Sequence, residues 1–299
     1  MKKDELIEFV GENGHFSTMF DFSAHSLSFG EHGWYDSNPI QFEDFRKVLF
    51  HSHLECQDVG FLANIIENHD EPRGVNRYLP DYAQNQDGAK MLGTISVLLR
   101  GLPFLYQGQE IGMQNCLMDS IEDYNDINTH GEYKMALDAG LTEEDALQVC
   151  YINSRDNART PMQWDETANA GFTSGKPWLK VNPNYKELNV KTELGDENSV
   201  LSYYKKLIAL RKSENYKEVF TYGTFVPIFE NEPDIFAYER RLDNQSVIVL
   251  ANFGKEAKTL ILNQIADRPV LLTNQPDVQI ADNQITLKSC QVIVAGTTE

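Results

Sequence analysis

The segment Phe61-Leu-Ala-Asn-Ile-Ile-Glu-Asn-His-Asp-Glu-Pro-Arg73 decides how the first half of the chain is interpreted. Its apolar run, residues 61–66, predicts a buried strand. The run ends abruptly in polar residues that include His69 and Asp70, and Pro72 prevents the strand from continuing. Polar side chains at the carboxyl end of a buried strand are typical of the active-site edge of a (β/α) barrel. A plain polar turn has the same short pattern, so the neighbouring segments must decide between the two.

Those neighbouring segments repeat the pattern of an apolar run followed by polar residues. Residues 87–100 have the apolar spacing of a helix, and a second short apolar run that ends in polar residues and glycines follows at 104–113. A strand, a helix and a strand at this spacing predict a βαβ unit, which makes the strands parallel. Upstream, residues 16–22 predict another strand and residues 42–56 a helix that leads to Phe61.

Composition limits the kind of partner that the protein can bind. A net charge of −19 on 299 residues argues against nucleic acid or an anionic membrane surface and suits a neutral partner. The four cysteines are far apart and form no CxxC pair, so we expect neither a zinc site nor a disulfide framework, and a reduced, cytoplasmic setting. No apolar run is long enough to cross a membrane or to act as a signal peptide. No cofactor or metal constellation is visible.

After residue 113 the character of the sequence changes twice. Residues 114–195 are rich in Asp, Asn and Glu and predict a long functional loop with one short helix, from its N-cap Thr142 to about Tyr151. Residues 198–212 predict an amphipathic helix. After Lys217, short strand-like runs predict a small antiparallel sandwich, so we place the two domains at residues 1–217 and 218–299. These runs are residues 221–229, 235–241, 246–252, 259–262, 269–273 and 291–295.

Four motifs, in this order and spacing, resemble the oligo-1,6-glucosidase and dextran glucosidase branch of the α-amylase superfamily. The resemblance extends across nearly the whole chain and weakens after residue 217. The motifs are Glu67-Asn-His-Asp-Glu-Pro-Arg73, Tyr106-Gln-Gly-Gln-Glu-Ile-Gly-Met113, Ser154-Arg-Asp-Asn-Ala-Arg-Thr-Pro-Met-Gln-Trp-Asp165 continuing to Asn169-Ala-Gly-Phe172, and Pro177-Trp178 with Val181-Asn-Pro-Asn-Tyr185.

The resemblance implies an α/β fold, a (β/α)8 barrel followed by an antiparallel β domain. Such a barrel needs eight strands and about 250 residues. Because only three candidate strands are present, we expect the C-terminal part of the barrel, strands six to eight. In this family the nucleophilic Asp follows strand four and the acid/base Glu follows strand five, so both are expected before Met1. Glu12 imitates the acid/base motif, but it lies too close to the strand at Phe16 to leave room for the barrel helix between them.

The resemblance also assigns roles to five residues. Asp70 is expected to stabilise the transition state by accepting hydrogen bonds from sugar hydroxyls, and His69 to donate to a neighbouring hydroxyl. Arg155 is expected to close the pocket behind the terminal glucose, while Arg159 holds the loop together. Arg73 is expected to line the aglycone side. The alternative for Arg155 and Arg159 is a purely structural role in loop salt bridges.

The function that follows is the C-terminal portion of a retaining α-glucosidase. It would hydrolyse α-1,6 or α-1,4 glucosidic bonds at the non-reducing ends of short oligosaccharides, would be inactive alone, and would need a complementing N-terminal half. A fragment of a trehalose-6-phosphate hydrolase or of a sucrose isomerase is an alternative, although a phosphorylated substrate calls for a basic cluster that the acidic composition disfavours. An alternative of another class is a non-catalytic, glycosidase-like interaction subunit, which would have no chemical need for His69, Asp70 and Arg155.

Overall fold

The computed structural model of the protein describes residues 3–263 and 265–297. Its α-helices are α1 (Lys3–Val10), α2 (Phe42–Cys56), α3 (Gly74–Tyr78), α4 (Gln86–Leu98), α5 (Ile127–Asp138), α6 (Glu143–Asn153), α7 (Asp156–Arg159), α8 (Val190–Leu194), α9 (Val200–Arg211) and α10 (Lys217–Tyr222). Its strands are β1 (Met19–Phe20), β2 (Leu62–Asn64), β3 (Leu102–Pro103), β4 (Thr224–Pro227), β5 (Ile235–Leu242), β6 (Gln245–Asn252), β7 (Lys258–Ile261), β8 (Val270–Thr273), β9 (Gln279–Ala281), β10 (Gln284–Leu287) and β11 (Val292–Gly296).

The first three strands form a parallel sheet in the order β1-β2-β3. Helix α2 connects β1 to β2, and α4 connects β2 to β3, which gives the two predicted βαβ units. Helix α2 has the predicted bounds, and α4 begins at its N-cap Asn85, whose side chain accepts hydrogen bonds from the backbone N–H groups of Asp87 and Gly88. Parallel strands place their carboxyl ends at one edge of the sheet, so the segments after β1, β2 and β3 meet there.

The strands of this sheet are shorter than the apolar runs that predict them. Only Met19–Phe20 of the run 16–22 pairs with β2. The third strand is Leu102–Pro103, so its prediction within 104–113 is wrong. Residues 104–113 instead leave the sheet, and Gly108, with a φ of +91°, precedes a single turn of 3-10 helix at Gln109–Ile111. The apolar residues that follow Pro103 therefore line the edge of the sheet rather than its core.

The acidic segment 114–195 contains more helix than predicted. The predicted helix is α6, and the Thr142 hydroxyl caps it by accepting from the Asp145 N–H at 3.1 Å. The prediction of a single helix is wrong, because α5 and two shorter helices are also present. Helix α5 has no apolar stripe that could have revealed it: Ile127 and Met135 are exposed, whereas Thr129 and Ala136 are buried.

The C-terminal domain is a sandwich of two antiparallel sheets, as predicted. One has the order β4-β5-β6-β11-β8 and the other β7-β10-β9. Apolar side chains from both sheets, including Leu250, Leu260 and Ile293, are buried between them. The opposite face of the larger sheet packs on α4, where the Tyr238 hydroxyl donates to the Ile95 carbonyl. The strands β9 and β10 were not predicted, and helix α10 occupies the start of the run 221–229.

Two further properties of the described residues concern membrane-spanning helices and metal-binding groups. Within residues 3–263 and 265–297, no helix is long and apolar enough to cross a membrane. Over the same residues, no group of three or more His, Cys, Asp and Glu side chains could hold a metal ion. The domain boundary near residue 217, where α10 begins, stays a prediction.

Candidate active site

A cleft of about 430 Å³ lies at the carboxyl ends of the three parallel strands. The segments after β2 and β3 contribute most of its surface, and the end of β1 contributes the rest. Its lining combines apolar and aromatic side chains with carboxylate, amide and imidazole groups. The lining residues are Phe20, Phe22, His25, Ile65, Glu67, Asn68, His69, Asp70, Glu71, Phe104, Leu105 and Tyr106.

Asp70 presents its carboxylate to solvent at the mouth of this cleft. The side chain is 53% exposed, yet it is held firmly in place. Its Oδ1 atom accepts hydrogen bonds from Arg155 Nη1 and Arg159 Nη2, each at 3.0 Å. Its backbone N–H donates to Asn68 Oδ1 at 2.7 Å, and His69 Nε2 lies 3.2 Å from Oδ2. The anion is thus neutralised on one oxygen, while the other faces His69 and the cleft.

The two arginines are themselves held by acidic side chains from the segment before α5 and from α7. Arg155 donates to Asp126 Oδ1 through Nε at 2.9 Å and Nη2 at 2.7 Å. Arg159 donates through Nε to the His69 carbonyl at 2.8 Å and lies 3.4 Å from the buried Asp156. Burial raises the pKa of the Asp126 carboxyl, but hydrogen bonds from Arg155 and from helix α5 outweigh it and leave the pKa below its ordinary value.

Glu71 forms a second, buried cluster in the floor of the cleft. His25 Nδ1 lies 3.1 Å from Glu71 Oε1, and Asn68 donates to the same oxygen at 3.3 Å. The Tyr78 hydroxyl donates to Oε2 at 3.4 Å, and Arg77 lies 3.9 Å away. Burial raises the pKa of Glu71, but His25, Arg77 and Asn68 together lower it below its ordinary value, so the group stays anionic.

Comparison with known proteins assigns the family. The family model described as the catalytic domain of alpha amylase matches residues 2–223. The protein belongs to the α-amylase family. The model described as the C-terminal domain of the alpha-amylase SusG matches residues 235–294, within the β-sandwich. The three parallel strands are therefore the C-terminal part of a (β/α)8 barrel, strands six to eight, and the predicted fold class is confirmed.

Individual members of the α-amylase family match 80% to 100% of this chain, and the chain spans about half of their own length. The chain is 44% identical over 239 residues to the oligo-1,6-glucosidase of Parageobacillus thermoglucosidasius, a match of 80% of this chain and 42% of that protein. It resembles the structure of Bacillus licheniformis trehalose-6-phosphate hydrolase with a TM-score of 0.91 and 31% identity, over 100% of this chain and 55% of that one. It also resembles the structure of the trehalulose synthase of Pseudomonas mesoacidophila, with a TM-score of 0.89 and 32% identity, over 98% of this chain and 53% of that one.

The structure brings together four of the five residues that the sequence motifs predict to act at the site. His69, Asp70, Arg155 and Arg159 form one cluster, although Asp70 and Arg155 are far apart in the chain. His69 is 71% exposed, so its ring is free to meet a ligand. Arg159 donates to the His69 carbonyl and also to the Asp70 carboxylate, so it joins two residues of the turn after β2. The roles expected of these four residues toward a substrate stay predictions.

The prediction that Arg73 lines the aglycone side is wrong. Its side chain is 1% exposed and forms an ion pair with Glu67 at 3.1 Å. Its Nη1 also donates to the Gln107 carbonyl and its Nη2 to the Ala158 carbonyl. A guanidinium enclosed in this way cannot reach a ligand in the cleft, so its role must be exerted through the segments that it joins.

Sequence reasoning missed Asp126, which is the principal anchor of Arg155. The Asp126 side chain is 2% exposed, and its Oδ2 also accepts from the backbone and hydroxyl of Thr129, which caps α5. Asp is one of the residues preferred at a helix N-cap, which is a weak signal by itself. In a segment with so many acidic residues, that signal did not distinguish Asp126 from Asp119 or Asp123.

Proposed function

We propose that this chain is the C-terminal portion of a retaining α-glucosidase that hydrolyses α-1,6 or α-1,4 glucosidic bonds at the non-reducing ends of short oligosaccharides. The observation that carries the proposal is the carboxylate of Asp70, held at the mouth of the cleft by Arg155 and Arg159. Carboxylate and guanidinium groups that converge on a cleft can bind several sugar hydroxyls at once. The oligosaccharide is neutral, which suits a protein of net charge −19.

Asp70 would act on the transition state rather than attack the substrate. The glucosyl ring flattens and gains positive charge as the glycosidic bond breaks, and hydrogen bonds to its hydroxyls strengthen at that stage. Both arginines contact Oδ1, and only His69 Nε2, at 3.2 Å, lies against Oδ2, so this oxygen keeps a lone pair to accept from a sugar hydroxyl. The exposed His69 would donate to a neighbouring hydroxyl. A carboxylate that is already oriented needs no reorganisation during the reaction.

Arg155 would close the pocket behind the terminal glucose. Its side chain is 34% exposed, so part of the guanidinium faces solvent while Asp126 holds Nε and Nη2. A pocket closed at one end admits only the terminal sugar of a chain, which gives removal of one glucose at a time. Arg159, at 19% exposure, is more enclosed and would orient Asp70 and the His69 carbonyl.

The nucleophile and the acid/base would come from a complementing N-terminal half. A retaining mechanism needs two carboxyl groups about 5 Å apart that both reach the substrate. Among the described residues that line the cleft, Glu67 is enclosed with Arg73, and Glu71 is enclosed with His25. That leaves Asp70 alone, which supports the proposal that this chain provides the substrate-binding side of the site. A cytoplasmic location is part of the same proposal.

The alternatives differ in what they require of the cleft. A trehalose-6-phosphate hydrolase needs a cation for the phosphate. No Lys is among the described residues that line the cleft, and the arginines at its mouth and floor are paired with carboxylates: Arg155 and Arg159 with Asp70, and Arg77 with Glu71. No described residue of the cleft distinguishes a fragment of a sucrose isomerase from a fragment of an α-glucosidase. A non-catalytic interaction subunit would not need Asp70 aligned with Arg155 and Arg159.

The test is turnover by the chain alone and by a hybrid in which it replaces the matching part of the Parageobacillus enzyme. We expect no hydrolysis by the chain alone, and hydrolysis of isomaltose or maltose by the hybrid. Preference for trehalose 6-phosphate, or conversion of sucrose into an isomer, would favour the corresponding alternative. A folded hybrid that turns over none of these sugars would favour the interaction subunit and contradict the proposal.

A further inference from the structure

A buried ion pair lies directly beneath the exposed site residues. Arg73 Nη1 is 3.1 Å from Glu67 Oε2, and both side chains are 1% exposed. Glu67 Oε1 accepts from the Gly74 N–H at 3.0 Å. Burial raises the pKa of Glu67, and Arg73 counteracts this only in part. A buried ion pair contributes little net stability compared with apolar side chains of similar size, so its presence here calls for another reason.

The pair closes the loop that carries the site. Glu67 and Arg73 stand at the two ends of the turn that presents His69 and Asp70, so their side-chain contact joins the ends of that turn. The Arg73 backbone N–H is held in addition by Asn115 Oδ1 at 2.9 Å. The exposed residues of the turn therefore rest on a closed and buried base.

Arg73 also joins this turn to the two other segments at the edge of the sheet. Nη1 donates to the Gln107 carbonyl, after β3, at 2.8 Å, and Nη2 to the Ala158 carbonyl, in α7, at 3.3 Å. Ala158 lies between Arg155 and Arg159 in the chain, so the bond fixes the backbone that carries both arginines. The Tyr106 hydroxyl reaches the same Ala158 carbonyl at 3.2 Å.

The surrounding packing leaves the guanidinium one position. Gly108 has a φ of +91°, which favours glycine, and a Cβ there would lie 2.9 Å from Arg73 Nη1 and 2.5 Å from Met113 Sδ. The Tyr106 ring covers the guanidinium, with 5.5 Å from Cζ to the ring centroid. The Gly108 backbone, the Tyr106 ring and the Met113 thioether thus pack around the Arg73 guanidinium and restrict its position.

We propose that Glu67 and Arg73 are a positioning pair that sets Asp70 at hydrogen-bond distance from Arg155 and Arg159. This inference rests on the proposed function of those three residues. The pair touches no ligand. It clamps the turn that carries the carboxylate and, through Ala158, the helix that carries the guanidinium groups, so loss of Arg73 uncouples one from the other.

The experiment is hydrogen–deuterium exchange of the full 299-residue chain, analysed by peptide, for the variants Arg73→Met and Arg46→Met. Arg46 is a matched control because it is also buried, at 5% exposure against 1% for Arg73. It pairs with Glu43 and joins the backbone carbonyls of Glu232 and Ile235, but it is not among the described residues that line the cleft. Arg73→Lys and Glu67→Gln are milder variants, and their exchange tests the positioning role if Arg73→Met does not fold. Isomaltose titration of each variant runs in parallel.

We expect Arg73→Met to raise exchange about tenfold at once in residues 67–71 and 154–159, and Arg46→Met to raise it only around residues 41–46 and 232–235. Arg73→Lys should restore part of the protection in both site segments. If exchange in 154–159 is unchanged in Arg73→Met and Arg73→Lys, or rises equally in Arg46→Met, the positioning role is refuted. Failure of the wild-type chain to bind isomaltose would count against the proposed function, whereas the exchange pattern decides the positioning role independently.

Discussion

Replacement of Asp126 by Asn removes the charge that holds Arg155 while it keeps the shape and the helix cap. The carboxylate receives two hydrogen bonds from the Arg155 guanidinium on Oδ1 and two from Thr129 on Oδ2. Asparagine can still accept from Thr129, since Asn caps helices about as well as Asp. The variant Asp126→Asn therefore isolates the contribution of the ion pair to the free energy of unfolding.

The size of the effect follows from the exposure of the two partners. A hydrogen bond to a charged group contributes about 1.5–3 kcal/mol when it is buried. Asp126 is enclosed, but Arg155 is 34% exposed and can be solvated by water once the charge is lost. We therefore expect Asp126→Asn to lower the free energy of unfolding by about 1–2 kcal/mol at pH 7, measured by urea denaturation.

The dependence of this loss on pH distinguishes the ion pair from a packing defect. The pKa of Asp126 is lower in the folded state, so its contribution is complete above the unfolded-state pKa of about 3.9 and disappears as pH falls through the folded value. The difference between wild type and variant should be constant from pH 7 to pH 5 and shrink below pH 4. The exposed Asp138, at the end of α5, provides the control Asp138→Asn, with a change below about 0.5 kcal/mol. Equal stability of wild type and Asp126→Asn at pH 7 would refute the reasoning.

Three further predictions concern other parts of the chain. Burial raises the pKa of Glu193 to about 7, so ionisation of this carboxyl lowers the stability of the fold as pH rises above about 4.3. In urea titrations, Glu193→Gln should therefore be more stable than wild type by roughly 2 kcal/mol at pH 8 but not at pH 4. Loss of the N-cap in Thr142→Ala should lower the melting temperature by about 2 °C, measured by calorimetry; no change would mean that the cap is not formed in solution. The exposed rings of Phe20 and Phe104, 4.9 Å apart, should make the chain self-associate, and Phe20→Ser with Phe104→Ser should reduce this in sedimentation velocity; a wild-type chain that stays monomeric at all concentrations would contradict it.

Elements with a strong local pattern could be predicted from the sequence. Helix α2 has its predicted bounds, and the N-cap of α6 at Thr142 is as predicted, because the periodicity and the cap both lie within one segment. The β-strands β5 and β6 also follow from continuous β-rich runs. By contrast, the strand after α4 was misplaced, because the apolar run at 104–113 lines the cleft edge and only Leu102–Pro103 pairs with β2.

The candidate site was only partly predictable, because its contacts join distant segments. Motifs shared with a family pointed to His69, Asp70, Arg155 and Arg159, and the structure places these together. Nothing in the local sequence shows that Arg73 faces inward to Ala158, 85 positions away in the chain, rather than outward to a ligand. The same holds for the role of Asp126 toward Arg155.

The most direct test of the account measures the hydrolysis of isomaltose by the hybrid enzyme with Asp70→Asn, with Asp138→Asn as the control. If Asp70 stabilises the transition state, its replacement should lower kcat by at least about 100-fold, with a smaller change in KM, while the control keeps the original rate. An Asp70→Asn hybrid that retains its kcat would contradict the account, because the carboxylate held by Arg155 and Arg159 would then have no part in the reaction.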